Sequence, residues 1–93
     1  MANLLVRVKV MPKEAEIGPQ QILEDIRKLN PEVEIRNTKE EPIAFGLVAL
    51  IADFMTDDVA GAMDEVENAI RNSQLVGEFE VLGVSRVSAN VKK

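Results

Sequence analysis

An α+β sandwich is predicted, with elements in the order β-α-β-β-α-β: four antiparallel strands in one sheet and two helices on one of its faces. Two stretches carry apolar residues at helical spacing; the first lies between two segments in which apolar and polar residues alternate, the second between a continuous apolar run and a further alternating segment. The connections between these segments are of ordinary length. The longest nearly uninterrupted apolar run, EEPIAFGLVALIADF at residues 40–54, sits near the middle of the chain and reads as a central core strand.

The strand expected first covers residues 3–11. Leu4, Val6, Val8 and Val10 fall on one face, with Asn3, Arg7 and Lys9 on the other, and Pro12 removes a ladder donor and ends it. Pro19 suits the first turn of a helix. Ile22, Ile26 and Leu29 follow at i, i+4 and i+7. Arg27 and Lys28 complement the dipole, and Asn30-Pro31 stops the helix. Residues 33–38 alternate again with a charged outward face, which predicts an edge strand. Residues 37–41 are polar and are expected to turn the chain into the apolar run, with its strand continuing to about Met55. Split into alternate positions, that run is apolar on both faces, so the strand should bury one face and present a second that needs a cover.

Thr56, Asp57 and Asp58 offer capping oxygens for a second helix. Val59, Ala62, Met63, Val66, Ala69 and Ile70 then trace its apolar stripe. Gly61 falls inside this pattern, where it costs helix stability and allows a close approach to the sheet. The last strand runs from Val76 to Val87, and a bulge near Gly83 explains why its apolar residues change sides. Residues 88–93 read as a frayed, basic tail. This pattern is the ferredoxin-like sandwich, a single domain over residues 1–93.

At 93 residues and 46% hydrophobic, the chain can bury one core, and with three Phe and no Trp or Tyr that core is aliphatic. The formal net charge of −5 argues against a phosphate-backbone binder. With no Cys and no His, disulfides, thiolate metal sites, Cys nucleophiles, His bases and Ser-His triads are excluded. No apolar run has membrane-spanning length, and the charged start is unlike a signal peptide, so a cytoplasmic, soluble protein is expected. The acids Asp53, Asp57, Asp58, Asp64, Glu65 and Glu67 lack calcium-loop spacing. No metal, cofactor or catalytic residue is predicted. RNA-recognition domains of this fold stack bases on aromatics exposed on the sheet, and the first strand has none.

The motif Glu41-Pro42-Ile43-Ala44-Phe45-Gly46-Leu47, followed by Val48-Ala49-Leu50, resembles the archaeal elongation factor 1-beta family and the exchange domain of the eukaryotic elongation factor 1-beta and delta subunits. The opening Val6-Arg7-Val8-Lys9-Val10-Met11-Pro12 is similar to that family's first strand, and Val81-Leu82-Gly83-Val84-Ser85-Arg86 to its last. The resemblance implies promotion of GDP release from elongation factor 1-alpha without acid, base or nucleophile. It places Pro42, Ile43, Ala44, Phe45, Gly46, Ser85 and Arg86 at the interface with the G protein, Phe45 near the nucleotide site. By position, Arg86 stands where the family carries a basic residue that disturbs the magnesium site, with Lys92 and Lys93 next in line. The expected partner is elongation factor 1-alpha, with no nucleic acid and no membrane, and the chain itself a monomer or weak dimer. The competing readings are a ligand-binding regulatory domain that dimerises through its sheet and an RNA-binding module. The apolar second face of the central strand suits the exchange factor and the dimer equally.

Overall fold

Strict alternation at the start of the chain makes a strand whose even-numbered valines all turn the same way. In the computed structural model, which describes residues 2–88, this is β1 (Ala2–Pro12), and Val6, Val8 and Val10 are fully buried on one face. β1 pairs antiparallel with β3 (Val48–Asp57) on one side and β4 (Val76–Ser88) on the other. β2 (Glu34–Pro42) pairs with β3 and forms an edge, so the sheet order is β2-β3-β1-β4. With α1 (Pro19–Leu29) after β1 and α2 (Ala62–Arg71) after β3, the order is that of the ferredoxin-like sandwich.

Both helices cover the same face. Ile22, Leu23 and Ile26 of α1 join Val66 and Ile70 of α2 in one cluster with the β1 valines and with Leu50, Ala52 and Phe54 of β3. α1 opens at Pro19, preceded by a reciprocal contact in which the Gly18 N–H donates to Gln21 Oε1 at 2.7 Å. At its other end the Asn30 amide donates to the Ile26 and Ala69 carbonyls, both at 3.0 Å, and so ties the C-terminal turns of the two helices together. Leu29, expected in the core, is instead substantially exposed beside this junction.

Three boundaries differ from the sequence reading. α2 begins at Ala62, not directly after Asp58: β3 runs through Asp57, and the N-cap is Gly61 in the left-handed region at φ 85°, with no side-chain cap. Gly61 therefore precedes the helix, and a Cβ there would meet nothing within 4 Å, so it serves chain direction rather than close packing. Val59, expected in the apolar stripe, is exposed in the connection. β2 is longer than its alternation suggested and reaches Pro42, because an edge strand can keep its ladder to β3 while all its side chains but Ile35 stay in water. A register shift between Arg36 and Lys39 marks a bulge there, with Asn37 at φ 53°.

The second face of β3 is not the greasy surface its composition suggested. It carries Ala49, Ile51, Asp53 and Met55, and Ala49 and Asp53 are buried. The cover comes from flanking strands. The Lys9–Glu41 ion pair, at 3.7 Å, joins β1 to β2 across β3 beside Ala49, and Arg7 and Asn37 close over Asp53. In β4 the expected bulge is present: the register to β1 slips between Arg7 and Val8, opposite Leu82 and next to Gly83. Ser88 belongs to β4 rather than to a tail, and residues 89–93, with Lys92 and Lys93, lie outside the described residues.

Candidate functional site

Pro42, Ile43, Ala44, Phe45 and Gly46 do not open the central strand; they form the tip of the β2–β3 hairpin. Pro42 is the last residue of β2, opposite Val48. The Ile43 N–H donates to the Leu47 carbonyl at 2.8 Å, and the Leu47 N–H to the Ala44 carbonyl at 3.3 Å. Phe45 at φ 64°, ψ 29° and Gly46 at φ 75° occupy the two central positions. This is the pattern of a type I′ turn, which suits the twist of a hairpin and needs two residues in the left-handed region. Glycine adopts that conformation freely, whereas a bulky side chain such as Phe is held there against its preference.

The Phe45 side chain gains no packing in return: it is 94% exposed, while Phe54 is fully buried and Phe79 packs against the core. Gly46 lies against the β1–α1 connection, where an added Cβ would stand 4.0 Å from that of Ala15. A large apolar ring, aimed into water by a conformation that disfavours it, is unexplained by the fold of the chain alone.

Ser85 and Arg86 lie elsewhere. Ser85 pairs with Leu5 and faces the open side of the sheet, whereas Arg86 pairs with Leu4 and faces the helix side. Across β1 from Arg86 stands Thr56 of β3, while the hairpin tip begins beyond Val48 of the same strand. The eight positions between Val48 and Thr56 span about 26 Å. The predicted site residues are thus split between the two ends of a body whose long axis is 42 Å. The Arg86 guanidinium is paired with Asp58, Nε to Oδ2 at 2.5 Å, with the arginine side chain 70% exposed. In the sequence a run of acids before a helix reads as a cap, and no sequence signal ties Asp58 to Arg86.

Between the two ends, the open face centres on Asp53, 1% exposed. Arg7 donates to both its oxygens, Nε to Oδ1 at 2.8 Å and Nη2 to Oδ2 at 3.1 Å, and the Asn37 amide donates to Oδ2 at 2.8 Å. The Arg7 hydrogen bonds hold the Asp53 carboxyl below the usual carboxylate range, against burial, which pushes the other way; Asn37 and the charge of Lys39 add to the lowering. The left-handed Asn37 is what aims its amide at Asp53, and nothing in the sequence announced it. Among the described residues no group of three or more His, Cys, Asp or Glu side chains is placed to hold a metal ion, and no helix is long and apolar enough to cross a membrane.

The family model described as the EF-1 guanine nucleotide exchange domain matches residues 5–87. Elongation factor 1-beta of Staphylothermus marinus is 40% identical over 90 residues, covering 95% of this chain and 100% of that protein. Elongation factor 1-beta of Aeropyrum pernix is 43% identical over 89 residues, 94% of this chain and 99% of that protein. That of Methanoculleus marisnigri is 39% identical over 82 residues, 88% and 94% of the two chains.

Proposed function

The chain belongs to the EF-1 guanine nucleotide exchange domain family, with a nucleotide exchange role in translation elongation, and we propose that it acts in the cytoplasm on elongation factor 1-alpha as a monomer or weak dimer, gripping it at both ends of its sheet. The observation that carries the reading is Phe45: an almost fully exposed aromatic on a tight turn that would fold more readily without it. Burial of that ring against a partner contributes about 2 kcal/mol of binding free energy. At the far end Arg86 brings a fork of donors suited to phosphate or carboxylate oxygens. Because the two ends stand about 26 Å apart, Phe45 and Arg86 meet different parts of the G protein; with Arg86 at the magnesium and phosphate environment, Phe45 is the anchor that holds the domain there.

Exchange of this kind needs no acid, base or nucleophile. A protein that binds the nucleotide-free G protein more tightly than the loaded form weakens nucleotide binding by the same factor, and GDP leaves faster. The GDP/GTP equilibrium itself is untouched, and cellular nucleotide levels set the direction.

Release of a fluorescent GDP analogue from the matching elongation factor 1-alpha tests the reading. The wild-type chain is expected to accelerate release in a concentration-dependent way, and Phe45→Ala to reduce that acceleration by about tenfold or more, in line with loss of an aromatic anchor. Wild-type acceleration by a folded Phe45→Ala variant would remove the anchor role. No acceleration by the wild-type chain would remove the exchange reading for this chain.

A further inference from the structure

Arg86 is not presented to solvent as a free cation. It leaves β4 on the helix side, its neighbours across the sheet are Leu4 and Thr56, and its guanidinium pairs with Asp58, just past the end of β3. Asp58 caps no helix, since α2 starts at Ala62 behind Gly61. Its carboxylate is 25% exposed and its ion pair is with Arg86. Arg86 hangs from β4 and Asp58 from the first residue after β3, with β1 between the two strands, so no backbone pairing depends on the contact between the two side chains.

We propose that Asp58 is an internal counter-ion that occupies the Arg86 fork in the free protein and yields it to an anionic oxygen, phosphate or carboxylate, of the nucleotide-loaded partner. This rests on the reading of Arg86 given above. A carboxylate and a phosphate offer the same paired oxygens to an arginine, so one replaces the other with little rearrangement. An ion pair this open to water exchanges readily. Two effects of Asp58 act in the same direction. It competes for the fork before contact, and after contact its charge faces the same anionic site that Arg86 approaches. Asp58 therefore restrains exchange, and neutralising it speeds exchange through Arg86.

The test is release of the GDP analogue from elongation factor 1-alpha at several concentrations of the full chain. Asp58→Asn is expected to raise the rate about two- to fivefold below saturation, the size of a released surface ion pair. Asp58→Glu, which keeps the charge, stays near wild type, and Asp58→Asn adds nothing in an Arg86→Ala background. A slower or unchanged Asp58→Asn rate, or an equal gain without Arg86, overturns the proposal. The Arg86 15Nε resonance separates the pair from the function: it shifts on Asp58→Asn if the pair forms in solution, and an unmoved resonance overturns the counter-ion alone. Absence of any acceleration by the wild-type chain, with that shift present, counts against the exchange reading instead.

Discussion

Phe45 combines two properties that rarely meet in one residue: a left-handed backbone and an exposed aromatic ring. Relief of the first is separable from loss of the second. Phe45→Gly is expected to be more stable than Phe45→Ala by about 1 kcal/mol, because only glycine adopts the turn without strain; chemical denaturation of the two variants measures the difference, and both should be equally poor at exchange. Asp53 makes the opposite point, since its unusual environment is internal. Its carboxyl titrates below its unfolded value because Arg7 and Asn37 donate to the ionised form. Its contribution is therefore complete above the unfolded value of about 4 and is lost as pH falls through the lower folded value. A melting series from pH 6 to pH 2 should show a drop in Tm below pH 4 that is smaller in Asp53→Asn. Phe45 could be singled out from the sequence by its motif and by the scarcity of aromatics. Its exposure could not, because the same letters also suit a strand with two apolar faces.

At the scale of elements, periodicity located both helices and all four strands, and it failed where backbone conformation, not burial, sets a boundary. The β2–β3 turn is built on Phe45-Gly46, not on the Asn-Gly pair that usually announces a type I′ hairpin, so the turn was placed earlier, among the polar residues 37–41. Those residues stay in the strand because β2 lies at the edge, where the ladder needs no buried side chains. The start of α2 at Ala62 departs from the pattern for a related reason. Two acids and a threonine look like a cap, yet the chain reverses only at Gly61, whose φ of 85° no side chain favours. Gly61→Ala should cost about 1 kcal/mol despite the open space around it, seen as a fall of about 5 °C in Tm.

On the scale of the molecule, the ferredoxin-like order was legible because six amphipathic segments in that sequence leave few ways to cover one core. The arrangement of the candidate site was not. Pro42 to Gly46 and Ser85-Arg86 are ends of different strands, and only the antiparallel register sends one group to each end of the sheet. Sites this far apart without shared partners act independently. The losses in exchange from Phe45→Ala and Arg86→Ala should add in free energy to within about 0.5 kcal/mol. A double-mutant cycle on GDP-analogue release measures this, and strong coupling would place both residues at one pocket of the partner.

Two of the sheet's register shifts, one in each outer strand, bear on how the chain tolerates crowding. β2 breaks its regular spacing at Asn37 and lines its length with charge, and β4 carries an extra residue at Leu82. Among the described residues these strands are the two open borders of the sheet, and each is interrupted partway along. A straight strand from a neighbouring copy cannot run beside either one for its full length, so growth into stacked, aggregated sheets is resisted where it would begin. The irregularities that orient Asn37 and shift the faces of β4 are thus also breaks in the borders of the sheet.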